Sequence, residues 1–258
     1  MIRRYLSSKI VYDCSRDVWG LRMDSKGVLY EQEFHYSKGS LDVTPRDWFW
    51  VAWDHFRGEI SRCMSKYVKN NCIMVIVGVG ESGFVPSEGS MWTIGIDINR
   101  TALAKTDRRI DLVIGSASHL PLKENSVDLV YFELVLHHLK GQMSLAVPLS
   151  ESYKVLVPHG RIIAVEPNML HPSGFLLNLL NVFHLYASVF GGSNYEYSLT
   201  IKELTAHLGC FSGFKVKALS FYHPRFPLFL QRYIMKRDVF LKEHFSSFAW
   251  MILVDAVK

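Results

Sequence analysis

Val75-Ile76-Val77-Gly78-Val79-Gly80-Glu81-Ser82-Gly83 decides the fold of this chain. Strand-forming residues run straight into glycines, so a buried strand must break into a tight loop that has no Cβ to hold a partner away. Three more segments follow in order. Thr93-Ile94-Gly95-Ile96-Asp97 is a second strand that ends in a carboxylate, and Gly115-Ser116-Ala117-Ser118-His119-Leu120-Pro121-Leu122 is a turn of small residues. Asp128-Leu129-Val130-Tyr131-Phe132 then leads into Leu136-His137-His138-Leu139. Short apolar runs bounded by turns, with helical stretches between them, predict a parallel sheet.

Working outward, strands are expected at 73–78, 93–97, 111–114, 127–132 and 161–166, with a closing pair at about 214–222 and 247–257. Thr44-Pro45-Arg46-Asp47 reads as a helix start, with Thr44 as cap, Pro45 in the first turn and Asp47 at capping-box spacing. That helix runs to about Val68 with Trp48, Val51, Trp53, Phe56, Ile60, Cys63 and Tyr67 on its apolar face. Residues 1 to about 43 show no clear period and are read as a capping segment. Leu145 to Leu156 predicts a connecting helix that Pro158-His159-Gly160 stops. Segments 173–190, 200–208 (with Thr200 as cap) and 227–244 can be helical. The organisation expected is a capping segment and helix over 1–71 and a main α/β domain over 72–258, with inserts at about 170–198 and 224–246.

Of the 258 residues, 49% are apolar and 21% charged, which suits a substantial core and excludes a disordered chain. Four scattered cysteines, without CxxC or Cys/His spacing, suit a reducing compartment and argue against a metal site. The basic start lacks the apolar stretch of a signal peptide, and no run of about 18 apolar residues occurs, so a cytoplasmic protein is expected. The formal charge of +5 permits an anionic substrate or a membrane surface without requiring either.

Gly78, Gly80 and Gly83 satisfy GxGxxG, so a dinucleotide has to be weighed. Asp97 stands where a carboxylate can accept from both ribose hydroxyls. Three observations favour S-adenosyl-L-methionine over a dinucleotide. Pro86 and Gly89 make the Ser82-to-Trp92 connection a poor helix, whereas a pyrophosphate wants a well-formed helix N-terminus. Ser116-Ala117 follows the third strand, where small residues let an adenine ring meet backbone, and the fourth strand leads into the His137-His138 pair.

With these residues in view, 73–166 resembles a class I S-adenosylmethionine-dependent methyltransferase of the type 11 group. The resemblance rests on Gly78-Val79-Gly80, Ile96-Asp97, Ser116 to Leu122, Ser126 to Val130, Leu136 to Leu139 and Leu156 to Arg161. It implies a Rossmann-like three-layer α/β/α sandwich, a seven-stranded mostly parallel sheet with its last strand antiparallel, and an N-terminal helical cap. The cofactor residues expected are Gly78, Gly80, Gly83, Asp97, Ile98, Ser116, Ala117 and Phe132. The chain departs from the family at Ile76 and Ser116, where an acidic residue is usual, and at Ser82, where the third loop glycine falls.

Methyl transfer asks the protein to align a nucleophile and, for a hydroxyl, to take its proton. His137, His138 and Glu166 are the candidate bases, with turn packing and loop anchoring as their structural roles. His35, Tyr36, His171, Tyr195 and Tyr197 are the candidate substrate residues. The insert at about 170–198, with Phe175, Leu176, Leu179 and Phe183, is a candidate substrate wall, although apolar residues at helical spacing are expected to be mostly core. The Arg225-to-Arg237 segment reads as a crossover helix with a solvated basic face, or as an amphipathic helix facing a membrane. The function expected is methylation of O, N or C on a small, partly apolar and conceivably lipid-linked molecule. Alternatives are a nucleic-acid methyltransferase, a silent S-adenosylmethionine-binding protein and an NAD-linked reductase. Tyr131-Phe132-Glu133-Leu134 lacks the Pro-Pro-aromatic signature of amino-group DNA enzymes, and the cations form no stripe.

Overall fold

Every residue of Ile73–Val77 is buried, which in a parallel sheet marks a central strand covered on both faces. The computed structural model describes residues 10–13, 18–21, 47–67, 71–80, 85, 91–106, 110–140, 142–183, 197–223 and 226–258, with side chains from residue 54 onward except at 181 and 228. The strands are β1 (Ile10–Asp13), β2 (Val18–Leu21), β3 (Ile73–Val77), β4 (Trp92–Asp97), β5 (Asp111–Ile114), β6 (Val127–Glu133), β7 (Leu156–Pro167), β8 (Gly213–Ser220) and β9 (Met251–Val257). The helices are α1 (Asp47–Ser65), α2 (Arg100–Leu103), α3 (Leu136–Leu139), α4 (Ala146–Val155), α5 (Pro172–Val182), α6 (Ile201–Thr205) and α7 (Leu228–His244).

The sheet order is β1-β2-β5-β4-β3-β6-β7-β9-β8. The seven strands from β5 to β8 are the expected sheet, with β9 antiparallel to both β7 and β8. The chain moves outward from β3 through β4 to β5, then returns to place β6 on the other side of β3. Strand order therefore reverses between β3 and β6, and ligands of open α/β sheets bind beyond the carboxyl ends at such a switch point.

The N-terminal segment differs from expectation. Residues 10–13 and 18–21 pair as an antiparallel hairpin, and β2 lies parallel to β5, with Trp19 opposite Val113. Four-residue strands are too short for a period to show in the sequence.

Apolar side chains fill both faces of the sheet. On one face α1 buries Phe56, Ile60 and Met64, four residues apart, against Met74, Ile76 and Tyr131. On the other, Leu149 of α4 and Leu204 of α6 pack over Val75, Val130 and Phe132. Tyr67 and Arg161 both bond to Asp255, pinning the chain after α1 to β7 and β9. Pro158-His159-Gly160 does not separate a helix from a strand as expected. β7 already begins at Leu156, and these residues make an excursion within it where the register with β6 shifts. His159 takes a positive φ of 64° there, and the carbonyl of Gly160 accepts from the Lys258 amide.

Candidate active site

The glycine turn after β3 is set by backbone geometry. Gly78 and Gly80 have φ of 71° and 59°, the left-handed region that L side chains rarely adopt. A Cβ on Gly78 would also collide with the Val135 side chain. The Gly78 amide donates to the Ile96 carbonyl (2.8 Å), so the turn is tied to β4. At the end of β4, Asp97 braces both sides of the opening. Its Oδ2 accepts from the Gly80 amide and its Oδ1 from the Asn99 amide, each at 2.8 Å. Asn99 in turn caps α2, its Oδ1 accepting from Thr101 and Ala102.

These groups border a cavity of about 280 Å³ at the carboxyl edge of β3, β4, β5 and β6. Of the residues expected at the cofactor, Gly78, Gly80, Asp97, Ile98, Ser116 and Ala117 line it together. Phe132 does not: its side chain is fully buried in the apolar core of the sheet. Gly83, His35, Tyr36 and Tyr195 lie outside the described residues.

The two histidines separate into different roles. Leu134, at φ 59°, turns the chain sharply after β6, and α3 then begins without a side-chain cap of its own. Glu166, fully buried at the end of β7, supplies one. Its carboxylate accepts from the amides of Val135 (3.0 Å), Leu136 (2.8 Å) and His137 (3.3 Å), and meets His137 Nδ1 at 2.7 Å. A carboxylate at a helix start is stabilised by the unpaired amides and the local dipole. Glu166 and His137 therefore sit behind the cavity wall and hold its shape. His138 lines the cavity, with its ring 4.0 Å from that of His137.

His171 is buried beside the start of α5, with Nδ1 2.6 Å from Ser173 Oγ. Burial pushes its pKa down to about 4, opposed by a hydrogen bond to the Phe221 backbone. It is a neutral packing group, and neither it nor the half-buried Tyr197 lines the cavity. Val135, Gln142 and Asn99 do line it and were not singled out from the sequence. Asn99, directly before a helix and two residues after Asp97, carried a readable capping signal. Val135 carried none. Among the described residues, no three His, Cys, Asp or Glu side chains converge to hold a metal.

Residues 77–164 match the family described as methyltransferase domain. The span takes in the glycine turn, Asp97, the Ser116 turn and the β6–α3 corner, which are the parts that build the cavity. That segment of the chain is a methyltransferase domain. A demethylmenaquinone methyltransferase of Bacillus mycoides is 25% identical to this chain over 162 residues, 57% of this chain and 66% of the relative. One of Bacillus cereus is 26% identical over 164 residues, with the same coverage. This chain thus aligns with just under two thirds of the length of those relatives. Among solved structures, an S-adenosylmethionine-dependent methyltransferase of Thermotoga maritima shares the fold at a TM-score of 0.58 and 17% identity, over 82% of this chain and 93% of that one. A phosphoethanolamine N-methyltransferase of Haemonchus contortus in complex with S-adenosyl-L-methionine shares it at 0.52 and 19%, over 77% and 52%.

The residues present suit that cofactor. The left-handed turn at Gly78 and Gly80 brings backbone to the edge of the cavity, and Asp97 lines the same space. Ser116, at the position of the family's usual carboxylate, offers a hydroxyl already engaged with Ser118.

Proposed function

We propose that this methyltransferase moves a methyl group from S-adenosyl-L-methionine to O, N or C of a small, partly apolar molecule, with a quinone-like ring as the acceptor class. The observation that carries the reading is the cavity at the β3/β6 switch point. One wall bears Asp97 and the glycine turn, and another bears His138 and the apolar Val135 and Leu139. The relatives named for demethylmenaquinone support the acceptor class.

When bound, S-adenosyl-L-methionine supplies an activated methyl group on a sulfonium. Gly78 and Gly80 would admit its amino-acid end, Asp97 would accept from its ribose, and Ser116 and Ala117 would border its adenine. The protein's own work is then alignment and proton removal. Orienting two reactants in a closed site contributes roughly 7–11 kcal/mol to lowering a bimolecular barrier. His138 is placed to take a proton from an acceptor entering beside the cavity, and an imidazole exchanges protons near neutral pH. Glu166 and His137 keep that ring in place from behind.

Isothermal titration with S-adenosylhomocysteine and, separately, with NAD tests the cofactor half. Binding of the first and not the second is expected, and failure to bind S-adenosylhomocysteine overturns the proposal. Mass spectrometry of a reaction containing a short-chain demethylated quinone, kept reduced as its quinol by added dithionite, tests the acceptor half. A product heavier by one methyl group supports it, whereas methylation confined to an RNA or sugar pool overturns it.

A further inference from the structure

α5 carries no charged residue, and the exposed side chains described on it are apolar. Phe175, Val182 and Phe183 are 59%, 68% and 64% exposed, with Leu176 and Leu179 exposed between them. Their spacing puts all five on one stripe of the helix and its last turn. The sequence pattern assigns such residues to core, yet these face solvent among the described residues. A contiguous apolar face of this kind marks an interaction site.

α7 presents a different face on the same edge of the sheet. Phe229 (75% exposed), Tyr233 (61%) and Phe240 lie on its outer side, interleaved with exposed Arg232, Lys236 and Arg237. Its inner side is fixed to α1, where Lys242 bridges Asp238 and Glu59 (3.2 Å) and His55 approaches Asp238. The two helices start side by side: His171, just before α5, and Phe226, just before α7, have ring centroids 6.0 Å apart. Asn168, at the carboxyl end of β7, donates to the carbonyls of Ser247 and Ala249, which brings the far end of the α7 insert to that edge too.

We propose that the outer faces of α5 and α7 together form a peripheral docking surface for an anionic lipid bilayer. The apolar stripe supplies side chains able to enter the interface. The aromatic residues suit the boundary between headgroup and acyl chain, and Arg232, Lys236 and Arg237 complement anionic headgroups. No helix among the described residues is long and apolar enough to cross a membrane, so contact is from one side. The surface lies on the edge of the sheet that holds the cofactor cavity, so an acceptor dissolved in the bilayer would reach it without passing through water. That last purpose rests on the proposed function, whereas the docking does not.

The test is co-sedimentation with vesicles of phosphatidylcholine alone and of equal parts phosphatidylcholine and phosphatidylglycerol, using the full chain. The full chain is expected to sediment with the mixed vesicles, far less with the neutral ones, and less as salt rises. R232E/K236E is expected to lower the partition coefficient at least tenfold. L179S/F183S alters only exposed side chains and is expected to lower it comparably at unchanged melting temperature. Three results overturn the proposal: no binding to mixed vesicles, binding that both variants leave intact, or a dimer in sedimentation velocity that L179S/F183S dissociates without any vesicle binding. S-adenosylhomocysteine titration of the same proteins separates the two readings. Vesicle binding without cofactor binding sinks the methyltransferase assignment alone, and cofactor binding without vesicle binding sinks the docking surface alone.

Discussion

Replacing Asp97 by Ala removes the acceptor for the Gly80 and Asn99 amides and also the carboxylate that faces the cavity. Hydrogen bonds to a charged group contribute roughly 1.5–3 kcal/mol. S-adenosylhomocysteine affinity is therefore expected to fall by about 10- to 100-fold by calorimetry, and unchanged affinity would place the cofactor elsewhere. The two adjacent histidines make a sharper comparison. His138 lines the cavity, so His138→Ala is expected to lower kcat by about 10²- to 10⁴-fold while cofactor affinity holds. A full turnover number in that variant would remove His138 as the base. His137 faces Glu166 instead, so His137→Ala is expected to lower the melting temperature, a change His138→Ala should not share.

At the scale of elements, the corner between β6 and α3 is the part most dependent on one distant side chain. α3 is four residues long and uncapped from its own sequence, and the Glu166 carboxylate takes its place as cap from the neighbouring strand. Glu166→Gln keeps the volume but removes the charge and leaves one oxygen to serve three amides. Loss of about 1–2 kcal/mol in urea unfolding is expected, as for an N-cap, together with weaker S-adenosylhomocysteine binding. Stability equal to wild type would mean that the carboxylate does not hold this corner. The same corner shows how far sequence reaches. β3, β4 and β6 are short, largely apolar runs bounded by turns, and the Thr200 cap is a local pattern, so both were legible. Glu166 and Val135 are 31 residues apart, and nothing local connects a strand-end glutamate to a distant set of amides. The outward stripe of α5 was hidden for a related reason: periodicity reveals that a face is apolar but not whether the fold covers it.

For the whole molecule, the buried His171 and the half-buried His55 make stability a function of pH with a defined sign. His171 titrates at about 4 in the folded protein against 6.5 when unfolded, chiefly because burial disfavours the imidazolium. Between those values the unfolded chain binds a proton that the native protein refuses, so stability rises with pH across this window and falls on acidification. His55 works in the same direction. Burial lowers its pKa most, Lys242 and Arg62 add to that, and Glu59 and Asp238 oppose it. Each is lost as the pH drops below the ordinary histidine range, and His171, the more deeply shifted, accounts for up to about 3 kcal/mol of the change. Because His171 joins the start of α5 to the end of β8 and to Phe226, its protonation strains the junction from which both outer helices spring. His171→Asn, which can still accept from the Ser173 amide, is expected to start less stable near neutral pH and to lose less as the pH falls from 6.5 toward 4. Chemical denaturation of both proteins at a series of pH values reads the two slopes directly. Parallel slopes would show that His171 does not govern the acid response and would shift the cause to the α1–α7 charge cluster around His55.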